Sequence, residues 1–83
     1  MDMLERIIRK EAAIASVERG FDMKPSEYIA YCCHVTQKTA QRRMQRGDWT
    51  WTEILKLIVG LRRMDGSNPF LDAIHSELAE VMK

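Results

Sequence analysis

The sequence predicts an all-α fold, a compact domain of five helices, on three observations. Apolar residues recur at steps of three and four, and no run alternates at period two. The turn-forming residues Gly20, Pro25, Gly47 and Asp65-Gly66-Ser67 fall between the periodic stretches. The 83 residues read as a single domain, 1–83, because a second one would lack its own core.

The first helix is expected over about Met3 to Arg19, where Leu4, Ile7, Ile8, Ala12 and Ala15, with Ile14 and Val17, make a broad apolar face. Gly20 ends it, since glycine takes the left-handed conformation of a helix C-cap without strain. Pro25 then opens a short second helix to about Cys33, its fixed φ and missing N–H being harmless in a first turn. His34-Val35 interrupts, and Thr36 is a good N-cap for a third helix reaching about Gln45 before Gly47. Thr50 and Glu53 have the spacing of a capping box, and Ile54, Leu55, Leu57, Ile58 and Leu61 extend a fourth helix to Arg63. Asn68 caps the fifth, with Pro69 at its first position and Phe70, Leu71, Ile74, Leu78 and Val81 at helical spacing towards the chain end.

The composition, 46% hydrophobic and 30% charged, is that of a globular chain and argues against a disordered tail. Charges interrupt every apolar run, so neither a membrane span nor a signal peptide is expected, and the chain is assigned to the cytoplasm. Cys32 and Cys33 are adjacent, a spacing unsuited to an ordinary disulfide, which fits a reducing compartment. Together with His34 they lack zinc spacing and read as small buried residues; no metal or cofactor is expected. Paired carboxylates, a glycine-rich phosphate loop and a nucleophile-base arrangement are all missing from the sequence, so an enzyme is the least favoured class. Trp49 and Trp51 are read as packing the start of the fourth helix, although stacking on a partner is open to them.

The net charge of +1 conceals an uneven distribution. Residues 26–47 carry Glu27 against Lys38, Arg42, Arg43 and Arg46, while residues 48–83 carry more acids than bases. A polyanion would meet least repulsion along Thr36 to Arg46, where no acidic residue occurs. Two short helices joined by a tight turn, with the bases on the later one, have the layout of a helix-turn-helix reader.

The segment from Ser26 to Met44, SEYIAYCCHVTQKTAQRRM, resembles the helix-turn-helix of phage lambda-repressor and Cro-like regulators. The resemblance implies that Ala30 is the small residue at the helix crossing, that Cys33 fills the gap and that Val35 plugs the core. His34 stands where the family usually has glycine, and Arg43 where it usually has a bulky apolar residue, so Met44 or an arginine stem must supply that contact. Ala40 and Met44 then face inward, and Lys38, Gln41, Arg42 and Gln45 form the outward stripe.

By this resemblance Gln37, Lys38, Gln41 and Arg42 reach base edges, glutamine being suited to adenine and arginine or lysine to guanine. Ser26, Thr36, Thr39 and Arg46 are expected on phosphates. The chain is accordingly expected to regulate transcription by occupying a double-stranded DNA operator, with no small-molecule ligand. A homodimer is expected because one such unit reads few base pairs. The last helix either closes the monomer core or forms the dimer seam; its periodicity fits both. The rival reading is a helical protein-interaction module, an anti-repressor or adaptor, that keeps the outline without reading DNA.

Overall fold

Five helices form in the expected order: α1 (Met3–Glu18), α2 (Pro25–Cys33), α3 (Gln37–Arg46), α4 (Trp51–Gly60) and α5 (Pro69–Val81). The structure, a computed structural model, describes residues 3–82, among which there is no strand. The expected continuation of the last helix to the chain end therefore reaches outside the described residues at Lys83.

The helix ends follow the capping chemistry of the sequence. Thr36 accepts a hydrogen bond from the Thr39 amide at 3.2 Å, Thr50 from the Glu53 amide at 3.2 Å, and Asn68 from the Leu71 amide at 3.2 Å. Glu53 returns the capping box by accepting from the Thr50 amide at 2.8 Å. Each such cap satisfies backbone donors that the first turn leaves free. Gly20 closes α1 with φ 75°, and the Phe21 amide reaches back to the Ser16 carbonyl at 2.8 Å.

α2 is the hub of the domain, packed against α1, α3 and α4, while α5 lies on α1. Tyr28, Ile29, Ala30 and Cys33 of α2 are buried with Ile8, Ala12 and Ala15 of α1, Ala40 and Met44 of α3, Leu57 and Leu61, and Phe70 of α5. Each large apolar side chain so buried contributes roughly 1.5–3 kcal/mol. Tyr28 keeps its polar end satisfied by donating from Oη to the Gly60 carbonyl at 2.6 Å, and burial raises its pKa to about 12. Gly60 also allows α2 and α4 to approach closely, since a Cβ there would lie 2.4 Å from Cys32 Sγ.

α4 ends three residues earlier than the apolar pattern predicts, and the reason is tertiary. Arg63 turns back to α1 and donates to both oxygens of buried Glu11, at 2.9 and 2.8 Å. The Met64 amide donates to Glu18 at 2.9 Å, and Arg19 donates to the Arg62 carbonyl at 2.8 Å. These bonds to α1 and to Arg19 just beyond it take the place of one more helical turn. The tryptophans also divide: Trp49 packs against the core as expected, whereas Trp51, on the other side of the α4 N-cap, is 67% exposed.

Candidate nucleic-acid interface

The geometry of α3 begins with the chain reversal before it. His34 ends α2 at φ 58° and ψ 42°, a left-handed conformation that costs a non-glycine residue some strain but that histidine tolerates better than most. The Val35 amide bonds back to the Ala30 carbonyl at 3.1 Å, and the Val35 side chain packs on the core. Thr36 then caps α3, so only three residues separate the two helices.

Ala40 and Met44 anchor α3 to the core at 0% and 3% exposure, which settles which side of the helix faces solvent. Lys38, Gln41, Arg42, Gln45 and Arg46 are exposed on the other side. Lys38, Gln41, Arg42 and Arg46 have no hydrogen-bond or ion-pair partner among the described residues.

Arg43 behaves differently from its neighbour. Its Nε lies 3.1 Å from Glu53 Oε1, and Nη1 lies 3.4 Å from Asp48 Oδ2. Glu53 is 7% exposed and at once caps α4 and neutralises Arg43, so it joins the end of α3 to the start of α4. The core contact expected of Met44 or an arginine stem thus falls to Met44. Of the four bases counted in the basic segment, Arg43 is spent inside the protein, leaving Lys38, Arg42 and Arg46 on the surface.

The hydroxyl and amide candidates are partly engaged with one another. Gln37 Nε2 donates to Ser26 Oγ at 3.0 Å, which braces the first residue of α3 against the first turn of α2. The Gln37 carbonyl oxygen and second amide hydrogen remain open, enough for a bidentate contact. Thr36 donates its hydroxyl hydrogen to Thr39 Oγ1 at 3.0 Å while its oxygen accepts the Thr39 amide. Thr36 is therefore occupied in capping, whereas the Thr39 hydroxyl still has a hydrogen to donate.

Arg9 of α1 joins the same side of the molecule, bordering a hollow lined by Ser26, Gln41 and Gln45. It is half exposed and, among the described residues, is paired with Glu5 at 3.5 Å. No sequence signal singles it out, because it stands on another helix within a segment of zero net charge.

The two thiols diverge on α2, Cys32 facing Gly60 and Cys33 donating from Sγ to the Glu53 carbonyl at 3.8 Å. Cys33 is buried at 3% exposure, and burial raises its pKa to about 12. Burial also raises that of Cys32. Among the described residues no three histidine, cysteine or acidic side chains group closely enough to hold a metal ion. No helix of the described residues is long and apolar enough to cross a membrane. Comparisons with protein-family models, curated proteins and solved structures found no match to the chain.

Proposed function

We propose that the chain is a sequence-specific double-stranded DNA-binding regulator of the phage or prophage Cro and repressor type, acting in the cytoplasm by occupying an operator. The observation that carries this reading is the division of α3. Ala40 and Met44 fix its inner side in the core, and a stripe of unpartnered Lys38, Gln41 and Arg42 stands outside with no carboxylate on the same helix. A helix presented in this way suits the major groove, where arginine and lysine pair with guanine and glutamine with adenine.

Gln37, Lys38, Gln41 and Arg42 are assigned to base edges. Ser26, Thr39 and Arg46 are assigned to phosphates, with Arg9 added beside them. Thr36 is assigned to phosphate as well, and its capping hydrogen bonds give it the further task of fixing the helix end that approaches the duplex.

A homodimer belongs to the same proposal. Trp51, Leu78 and Val81 are exposed around an apolar groove floored by Leu4, Ile54 and Ile74, and a second copy covering it would supply two half-sites.

Selection of bound duplexes from a random pool, followed by anisotropy titration of a recovered site, tests the reading. Symmetric half-sites and an affinity that falls steeply with added salt are expected. Arg42→Ala should cost about 1–3 kcal/mol on the selected site and relax discrimination at one base position. Failure to enrich any sequence, with salt-insensitive binding, refutes the proposal and favours the protein-interaction module.

A further inference from the structure

The side of the molecule away from α3 carries a second exposed surface. α2 and α4 diverge above the close contact of Gly60 with Cys32 and enclose an open cleft of about 680 Å³. Its floor is aromatic: Phe21 meets Tyr31 edge-on at 5.5 Å between ring centroids and lies 6.2 Å from Tyr28. Tyr31, Leu55 and Val59 stand exposed along it at 56%, 48% and 74%. Leu55 and Val59 are four residues apart on α4 and so lie on one side of that helix. An adjoining hollow, sharing Arg19 and Val59, continues the surface to Arg62 and to Met64, which is 72% exposed.

The charged side chains that line this surface are cationic. Arg19 and Lys56 line the cleft and Arg62 lines its extension, and no acidic side chain lines either. None of these three cations has a carboxylate partner among the described residues, the nearby Glu18 being turned to the Met64 amide. Arg19 holds the Arg62 carbonyl with Nη2 and lies 6.0 Å from the Tyr28 ring centre, but its Nη1 is buried without an acceptor. A buried donor left in that condition is uncommon in native proteins and gains from an incoming acceptor.

A second copy packed two-fold through this patch does not fit it, since the patch would then face its own counterpart, whose lining offers no carboxylate to Lys56, Arg62 or Arg19. The occupant must bring apolar side chains for Tyr31, Leu55 and Val59 and negative charge for the cations around them. We propose that the cleft between α2 and α4 docks an acidic amphipathic segment of another protein. Its apolar side chains lie on Tyr31, Leu55 and Val59, and its carboxylates meet Lys56, Arg62 and Arg19. Because α3 does not line the cleft, such a partner binds without covering the candidate DNA face.

The experiment is a selection of phage-displayed random peptides on the full chain, with the enriched peptides then synthesised and titrated against it. Enriched peptides are expected to combine aspartate or glutamate with large apolar residues and to perturb the backbone amide NMR signals of Tyr31, Leu55 and Val59. Lys56→Glu and Val59→Glu, both at positions outside the buried core, should each weaken the titrated peptide by about tenfold or more. Circular dichroism verifies that each variant is folded, and Arg42→Ala should leave the peptide affinity unchanged. Absence of enrichment, enrichment of neutral or basic peptides, or perturbations centred on Trp51 and Leu78 or on α3 would overturn the proposal. The outcome is independent of the DNA reading, since a chain that binds no duplex can still enrich acidic peptides, and the converse also holds.

Discussion

α3 and α5 invert each other. α3 is the more polar helix, yet two of its residues are locked in the core and a third, Arg43, is held by two carboxylates of the following segment. α5 is the more apolar, yet only Phe70 is fully buried, and Leu78 and Val81 stand 49% and 79% exposed. Water already satisfies the outer side of α3, so its exposure needs no cover, whereas the outer side of α5 gains by being covered. Chemical character along a helix therefore says less about its anchoring than the position of one or two contacts does. It also separates two kinds of surface, one ready for a polyanion and one ready for apolar packing.

The sharpest way to break this comparison is at Phe70, the fully buried residue of α5. Phe70→Ala should lower stability by about 3–5 kcal/mol in a urea titration, because the surrounding core cannot close on the void. A loss below about 1 kcal/mol would show that α5 is not anchored at that residue. Glu53→Gln probes the ionic anchor of α3 while keeping the side-chain carbonyl that caps α4. It should cost about 1–3 kcal/mol, mainly through the lost Arg43–Glu53 pair, and an unchanged urea midpoint would remove the ion pair from the account of α3.

Alkaline pH tests the α2 hub against which α3 packs. The folded-state pKa values of Tyr28 and Cys33 are both raised to about 12, from 10.0 and 9.0. The stability they contribute is complete below about pH 9 and is lost as pH rises towards about 12, because the folded state retains protons that the unfolded chain releases. Tyr28→Phe should lower stability at neutral pH by about 0.5–1.5 kcal/mol through the missing bond to Gly60, and should lessen the alkaline loss measured by circular dichroism. An unaltered alkaline profile would assign the loss elsewhere. The smallest effect on the monomer belongs to Leu78→Glu, expected to shift its stability by less than about 0.5 kcal/mol while dissociating the proposed dimer in sedimentation experiments. A large loss of monomer stability would mean that Leu78 is already packed within its own chain.

Much of this architecture is legible in the sequence because it is local. Thr36, Thr50 and Asn68 announce helix starts through side chains that reach three residues ahead, and the alternation of Ala40 and Met44 with charged neighbours identifies the inner side of α3. His34 can likewise be read as the left-handed residue of the turn. What escapes sequence reasoning depends on partners far along the chain. Arg63 leaves the helical pattern because Glu11, on α1, draws it away, and Arg43, counted with the basic segment, is withdrawn from its surface charge by Glu53. Arg9 borders α3 only once α1 has docked, and the apolar residues of α4 give no sign that Leu55 and Val59 remain outside the core.

The inward commitment of Arg43 sets a stoichiometry. A cation already facing carboxylates has little to exchange with the ion atmosphere of a duplex, so on the proposed DNA reading the phosphate-bound cations of each chain are Arg46 of α3 and Arg9 of α1. With each neutralised phosphate contributing about −0.9 to the logarithmic dependence of affinity on salt, those two cations supply a slope of about −1.8 per chain, and a steeper one would require further cations, such as an Arg43 released from Glu53, to reach the backbone.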